Sequence, residues 1–544
     1  MMRVAVVAAL LLLGSAVTAA EPRFAPEAFK AHVSFLADDL LEGRDTGARG
    51  HAIAAAYVAT QMAGLGLRPG GAMVDGKRGW FQPVPLLVAR LGPAGSSLTV
   101  EGPDGARRWA NGSEAIVPPS LVEAEQRVAA PLVFAGFGLV DRAMKLDDYR
   151  GLDVRGKIVV LLSGTPKGMQ SEIAAHLGAT KGRMAMARGA VGVITVNTLE
   201  GQAVRPWAVL VDTAASPRFG WVQADGRPYE MAPRIRVGAL VSPVAAEALF
   251  AGAPRPLAAV LAEADRVGGR PKGFALKTRA VVERQSRFTR LDSPNVVGMI
   301  AGSDPVLRDE VVVLSAHLDH IDVRAGKKPD GIYNGALDNA AGIATMLEVA
   351  RAFRDSGEAP KRTLLFLAVT AEERGLLGAR YFAANPTVPI GGIAAVVNLD
   401  MPLLLYPFTD VVAFGAERST MGPLIAGAAR AAGLVLSPDP MPEQGLFTRS
   451  DHYAFVEKGV PSVFFATGFA NGGAAAWADF LKTHYHQPSD DLNRPIDWGA
   501  AAKFAEVNWQ VVRALADAPV RTRWMAGDYF GETLAGGAPK ATKR

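Results

Sequence analysis

The chain has 544 residues, of which 49% are hydrophobic and 20% charged, so it is a globular polypeptide with more than one core and not a disordered one. Its formal charge of +5 is the small excess of 58 basic over 53 acidic residues, and no basic run carries interleaved aromatics, which argues against a nucleic-acid partner. There is no cysteine, which excludes disulfides, thiolate metal sites, a cysteine nucleophile and a lipid-bearing cysteine.

Arg3 precedes an apolar run at 4–13, and small residues follow at 17–20. This is the order of a secretory signal peptide, with cleavage expected near Ala19 or Ala20. The apolar run is shorter than the roughly 20 residues that a membrane span needs. An exported protein of the bacterial periplasm or medium is expected, free of the membrane after cleavage. Phe29, Val33, Leu36 and Leu40 then suggest a helix that Gly43 and Gly47 break, and a second helix is expected from Gly50 to Ala63. Residues 68–125, rich in Gly and Pro, read as strands joined by loops. The apolar run 156–162, the helical pattern 181–188 and the strand-like run 189–196 form a β-α-β segment that ends near Ala262. A Gly- and Pro-containing linker follows at 267–273. From about 275 to 520, apolar runs alternate with helical patterns, as in an α/β sheet flanked by helices.

Three of these apolar runs end in ligand-type side chains. The run 311–314 leads into Ala316-His317-Leu318-Asp319-His320, the run 364–369 into Glu372-Glu373, and the run 393–397 into Asn398-Leu399-Asp400. Carboxyl ends of strands are where open α/β sheets bind ligands. Polar residues after buried strands also occur simply because loops are polar, but loop polarity does not by itself select histidine and carboxylates at all three ends. Five of the eight histidines fall between 317 and 486. Between the first two runs lies Gly335-Ala336-Leu337-Asp338-Asn339-Ala340-Ala341-Gly342, whose small residues suggest close backbone approach at a helix start. Asp338 there is either a helix cap or a bridge between two metals. His486 sits beside the turn-forming Gln487-Pro488-Ser489-Asp490. Histidine and carboxylate ligands without thiols suit zinc, or manganese or cobalt. Two such ions roughly 3.5–4 Å apart can clamp a scissile carbonyl and activate a water. In the Glu372-Glu373 pair one carboxylate can bind metal while the other takes a proton, or both are solvated acids at a helix start. No H-E-x-x-H helix, G-x-S-x-G elbow or phosphate-binding G-x-x-x-x-G-K-[ST] loop occurs.

The strings AHLDH, GALDNAAG, AEERGLLGAR, NLDM, SDHYAF and YHQPSDD occur in the order of the two-zinc exopeptidases of family M28, which the chain resembles over about 275–515. Leu41-Glu42-Gly43-Arg44 near the amino terminus is also similar. The resemblance implies a zinc-exopeptidase fold, with a mixed central sheet flanked by helices, and two zinc ions per chain. It places His317 and Asp400 on one zinc and Glu373 and His486 on the other, with Asp338 as the bridge. Glu372 becomes the general base, and Asp319 orients His317 from behind. His320, His452, His484 and Asp451 lie within these strings and receive no metal. The segment 126–262 resembles a β-rich protease-associated domain inserted into the catalytic chain, of a kind thought to cover the active-site mouth or bind partners. The run Met401-Pro402-Leu403-Leu404-Leu405-Tyr406-Pro407 after Asp400 departs from the more polar stretch of the family.

The expected division is a signal peptide at 1–20, an amino-terminal peptidase part at 21–125 and the inserted domain at 126–262. The main zinc peptidase domain covers 275–530 and a flexible tail 531–544. The expected activity is an aminopeptidase acting on peptides. A carboxypeptidase or dipeptidase on the same scaffold, a one-zinc cyclase of amino-terminal glutamine, and a binding protein that has lost catalysis remain as alternatives. Side-chain preference and oligomeric state stay open.

Overall fold

The computed structural model describes residues 22–324 and 330–542, so the expected signal peptide lies outside the described residues. Helices α1 (Pro26–Leu36) and α2 (Arg49–Gly64) open the chain. Phe29, Val33 and Leu36 line one face of α1, and Ala54, Val58 and Met62 one face of α2. All are buried, as the helical spacing dictates. Between the helices Glu42, Gly43 and Arg44 all take positive φ, and this tight turn carries Arg44 inside the protein, where it is 1% exposed.

The region expected as strands contains β1 (Phe81–Gly102). The insertion then supplies β2 (Glu125–Phe134), β3 (Ile158–Leu162), α3 (Ser171–Ala187), β4 (Gly192–Val196), β5 (Arg218–Trp221) and β6 (Val237–Val241). Strands β2, β3, β4 and β6 lie side by side in parallel. Every residue of β3 is buried, which is why its sequence is an unbroken apolar run.

Strand β7 (Phe274–Ile300) leaves the insertion and starts where the linker was expected to end. It is followed by β8 (Val311–His317), α4 (Ala341–Asp355), β9 (Thr363–Val369), α5 (Leu377–Ala384) and β10 (Ile393–Leu399). Then come β11 (Asp410–Phe414), α6 (Met421–Ala431), β12 (Val435–Ser437), β13 (Ser462–Thr467), α7 (Gly473–Thr483), α8 (Trp498–Asp517) and α9 (Tyr529–Leu534). The strands stand in the order β12–β11–β13–β10–β8–β9–β7–β2–β3–β4–β6 within a 16-stranded sheet. The long β7 pairs with β2 within Phe274 to Gln285, with β1 within Arg279 to Val296, and with β9 through Val296 to Ile300. One strand therefore belongs to both halves, and the expected boundary at 262–275 is no break in the sheet.

Strands β9, β8, β10 and β13 run parallel. Along β8, Val312 and Leu314 join the core beneath α2, α4 and α8, while Val311 and Val313 join the opposite core with Phe382 of α5 and Phe455. A strand covered on both faces needs apolar residues at every position. Composition predicts a flexible tail at 531–544, and the structure corrects this for the described residues. Phe530 of α9 is fully buried. The backbone N–H of Ala541 donates to Trp524 O at 2.8 Å, and that of Ala526 to Ala541 O at 2.7 Å. The small side chains that suggest looseness instead let this backbone lie against its neighbour. Among the described residues no helix is long and apolar enough to cross a membrane.

Burial pushes the imidazoles of His51 and His452 down to about 3, whereas an unfolded histidine titrates near ~6.5. Between these values the unfolded chain holds protons that the folded chain refuses, so stability falls as pH drops through that window. Replacing His452 with Phe, beside Phe447 and Phe464, should flatten the loss of unfolding free energy on acidification. The expected change is up to about 1.4 kcal/mol per pH unit in denaturant titrations. An unchanged slope would show that His452 is not held neutral.

Candidate metal centre

The register places the site. Val369 of β9 stands opposite His317 of β8, and Leu399 of β10 opposite Ala316. Three adjacent parallel strands therefore end at one level, and the residues that follow them, Thr370 to Glu373, His317 to His320 and Asp400, meet there. Asp338 enters from the irregular turn before α4. His486 enters from the loop after α7 at a positive φ of 56°.

His317 Nε2 lies 3.2 Å from Asp338 Oδ1 and 3.2 Å from Asp400 Oδ1. His486 Nε2 lies 3.3 Å from Asp338 Oδ2 and 3.2 Å from Glu373 Oε2. Ligand atoms bound tetrahedrally at about 2.0–2.1 Å stand about 3.3 Å apart. Asp338 thus offers one oxygen to each of two groups of ligand atoms, as a bridging carboxylate does. The third histidine, His320, also enters the second group: its Nδ1 is 2.8 Å from Glu373 Oε1 and 3.9 Å from Asp338 Oδ2. The resemblance gives His320 no metal. As a completely buried imidazole between two carboxylates, it is an additional residue of the centre.

The donor set fits metal cations. Asp338 Oδ2 and Glu373 Oε1 are buried, and their near polar neighbours are imidazole nitrogens. Burial opposes the charge on Asp338, yet His317, His320 and His486 hold its carboxyl well below the usual range. Against burial, Asp400 and Asp338 hold the His317 imidazole well above its ordinary value, and Asp338 and Glu373 raise His486 to about 10. The carboxylates thus draw positive charge onto the imidazoles, and divalent ions provide that charge while leaving histidine nitrogens free to ligate. Glu372 faces the same space. Burial, with Asp400 and Glu373 close by, lifts its carboxyl well above the ordinary range.

Asp319 corrects one expectation. His317 Nδ1 meets the backbone oxygen of Asp319 at 3.0 Å, not its carboxylate. The Asp319 carboxylate instead accepts from the backbone N–H of Glu372 at 3.0 Å and of Glu373 at 3.4 Å, and from Thr46 Oγ1 at 3.0 Å. On the turn after β8 the carbonyl is what reaches back to the ring, while the side chain reaches the neighbouring turn, whose N–H groups need an acceptor. The carbonyl still sets the tautomer, leaving Nε2 of His317 directed at Asp338 and Asp400.

Several supporting residues carried no local signal in the sequence. Asp490 accepts from the backbone N–H of Leu337 at 2.9 Å and of Asp338 at 3.0 Å, tying the His486 loop to the Asp338 turn. Arg44 donates to the carbonyls of Leu318, Asn334 and Gly335. Only the likeness of Leu41-Glu42-Gly43-Arg44 hinted at it. Of the other residues in the strings, His452 and Asp451 are buried, and His484 pairs with Ser489 and Arg494 away from the ligands. A cavity of about 320 Å³ adjoins the ligands, with Met401, Leu446, Phe464, Trp477, Tyr485 and Arg449 in its wall. Among its described lining residues Arg449 is the one Arg or Lys, and the acids are Asp338, Glu372 and Asp400. The apolar run after Asp400 supplies Met401 to this wall and buries Leu403 and Leu404 in the core.

The sequence model of peptidase family M28 matches residues 295–512, and that of the PA domain matches residues 128–226. Residues 295–512 are thus similar to peptidase family M28. The M28 match contains β8, β9, β10 and every candidate ligand, and the PA match lies within the expected insertion. Curated relatives include a "Probable zinc metalloprotease" of Pyrenophora tritici-repentis, 42% identical over 84 residues, which are 15% of this chain and 19% of the relative. Carboxypeptidase Q of Homo sapiens is 29% identical over 180 residues, 30% of this chain and 36% of that protein. The chain thus spans well under half the length of these relatives. Among solved structures, an aminopeptidase from Aneurinibacillus sp. strain AM-1 shares the fold at 19% identity and a TM-score of 0.51, over 96% of this chain and 98% of that one.

Gly342 tests the support of the centre. A Cβ there would collide with the Asn339 side-chain amide, which donates to Leu399 O at 2.9 Å and accepts from the backbone N–H of Met401 at 3.2 Å. Gly342→Ala should displace Asn339, shift Asp338 relative to Asp400 and weaken zinc binding by about 10–100-fold in competition with a chelating dye. Wild-type affinity in this variant would mean that Asn339 does not hold the centre.

Proposed function

We propose that this chain is an exported zinc-dependent exopeptidase that releases the amino-terminal residue of peptides. One zinc is held by His317, Asp338 and Asp400, the other by Asp338, Glu373 and His486, and Glu372 is the general base. The observation that carries this reading is the double set of ligand distances around Asp338, with the Glu372 carboxyl and a small apolar cavity beside it.

Bound zinc would supply Lewis acidity toward the scissile carbonyl and the attacking water. The chain's own residues perform the remaining work. The Glu372 carboxylate accepts a proton from the water and returns it to the leaving amine. Asp319, through the two backbone N–H groups it accepts, holds the turn that presents Glu372. Met401, Phe464, Trp477 and Tyr485 surround a terminal side chain and keep bulk water from it. A cavity of about 320 Å³ beside the ligands has room for the terminal side chain that an exopeptidase takes. Peptides are the partners, with no nucleic acid. Export to the periplasm or medium follows from the signal-peptide pattern at 1–20.

One observation favours a second reading, a carboxypeptidase or dipeptidase. Arg449 lines the cavity, and its guanidinium is suited to a free substrate carboxylate. Every acid in the described lining belongs to the ligands or is Glu372, so no separate acid awaits a free amine.

Metal content of the mature protein, with hydrolysis of alanyl and leucyl amides before and after chelation, tests the first reading. Two zinc ions and chelator-sensitive release of the amino-terminal residue are expected. Zinc with cleavage of amino-blocked peptides alone transfers the assignment to the second reading, and no zinc after reconstitution removes both. Glu372→Gln should keep its zinc and lose about 10²–10⁴-fold in kcat, while a fully active variant would remove Glu372 from its role. Arg449→Gln should raise KM for free dipeptides by about tenfold and leave dipeptide amides unchanged. Equal effects on both would exclude carboxylate recognition.

A further inference from the structure

Glu372 sits on a strained turn. Ala371, directly before it, takes a φ of 56°, and Leu376, soon after the Glu372-Glu373 pair, a φ of 60°. Residues with a side chain rarely enter this region. A turn of this kind persists only where its surroundings over-determine it. The backbone N–H groups of Gly375 and Leu376 both donate to Glu372 O at 2.8 Å, which closes the turn on itself. Further support comes from a segment near the amino terminus.

Residues 45–51 lead from the tight turn at Glu42, Gly43 and Arg44 into α2, and they hold the Glu372 turn at three points. At its start, the Thr370 and Ser293 hydroxyl oxygens lie 2.6 Å apart. Ser293 Oγ also accepts from the backbone N–H of Gly47 at 3.1 Å and lies 3.2 Å from His51 Nδ1. In its middle, Thr46 Oγ1 donates to Asp319 Oδ2 at 3.0 Å. Asp319 in turn accepts the backbone N–H of Glu372 through Oδ1 at 3.0 Å and that of Glu373 through Oδ2 at 3.4 Å. Beyond the pair, the Arg374 guanidinium donates to Asp45 Oδ1. Ser293 and Asp319 are fully buried and Thr46 is 5% exposed, so water does not stand in for a partner that is removed.

The segment is shaped for this approach. Gly47 takes a φ of 75°, and a Cβ there would lie 2.7 Å from a methyl group of Leu291. Only glycine lets the backbone come so close while its N–H reaches Ser293. Thr46 then has a particular part. The two backbone donors to Asp319 both stand on the Glu372 turn, so they tie that turn to a carboxylate without fixing the carboxylate itself. Thr46 adds a donor from a third element and thereby sets the plane of the carboxylate.

We propose that Thr46 is a positioning residue for the reaction: by fixing the Asp319 carboxylate it holds the Glu372 turn, and with it the carboxyl that takes the proton from water. This rests on Glu372 acting as the general base, as proposed above. Thr46 is not part of the described cavity lining, so its loss should lower kcat and spare KM. Glu373 on the same turn has a separate hold, His320 Nδ1 at 2.8 Å from its Oε1, so metal content should survive.

Two substitutions test it in the full-length chain. Thr46→Val keeps the shape and removes the hydroxyl, and Thr46→Ser keeps the hydroxyl. The readouts are zinc content, kcat and KM for an alanyl amide, and hydrogen exchange across residues 370–376. In Thr46→Val, kcat should fall by about 10–100-fold and exchange should quicken by about tenfold. KM and zinc content should stay within about twofold of wild type. Thr46→Ser should return kcat to within about threefold of wild type. In a Glu372→Gln background, where the base is already gone, Thr46→Val should lower kcat no further. Wild-type kcat in Thr46→Val would overturn the proposal, as would an equal loss in the Glu372→Gln background, failure of Thr46→Ser to rescue, or loss of zinc. If Glu372→Gln is fully active, or the wild-type protein does not hydrolyse the amide, the functional reading fails. Exchange across 370–376 then decides by itself whether Thr46 holds the turn: wild-type rates in Thr46→Val overturn that claim and faster rates uphold it.

Discussion

Asp338, Glu372, Glu373 and Asp400 converge with three imidazoles at one end of the sheet, largely out of water. So many carboxylates in so small a volume repel one another, and the surrounding structure answers that constraint. Asp338 and Glu373 take up the histidines. Asp319 and Asp490 are themselves acids, and they accept backbone N–H groups from the very turns that carry Glu372, Glu373 and Asp338. Burial raises both, to about 6, which shows how strongly the interior resists their charge. The buried Arg44, lowered to about 10 by the same desolvation, is a permanent cation that donates to carbonyls of two of the converging loops, at Leu318 and at Asn334 and Gly335.

This explains why the amino-terminal helices belong to the catalytic half although the insertion separates them from it in sequence. The turn between α1 and α2 delivers Arg44 to Leu318, Asn334 and Gly335, and Thr46 to Asp319. A chain lacking this turn would leave the ligand loops without their organising donor. The insertion is tied in differently. Strand β7 runs from its sheet into the peptidase sheet, so the two halves share backbone hydrogen bonds and not merely a surface. Movement of the insertion relative to the centre would require breaking that ladder.

Much of the catalytic half could be read from the chain. Strands buried on both faces have to be apolar throughout, so 311–314, 364–369 and 393–397 stood out, and each ends in ligand-type residues because loops at strand ends are where polar groups can sit. Gly335 and Gly342 marked a close approach because at each a Cβ would strike a neighbouring group. Composition misled at the carboxyl terminus: small residues occur in loose tails and also where backbone packs tightly, and only contact with Trp524 distinguishes the two.

The sequence by itself determined the buried strands and the ligand-type residues at their ends, because these are local consequences of periodicity and side-chain chemistry, while the insertion was legible only through its resemblance to a protease-associated domain. Only the tertiary structure decided the strand order, with β8 between β9 and β10, and hence which loops meet. It also decided that His320 packs between Asp338 and Glu373, that Asp319 serves the Glu372-Glu373 turn, and that α3 lies against the 441–449 segment. Each of these joins groups far apart in the chain, and such pairings are set by the register and packing of the whole sheet, which no local pattern encodes.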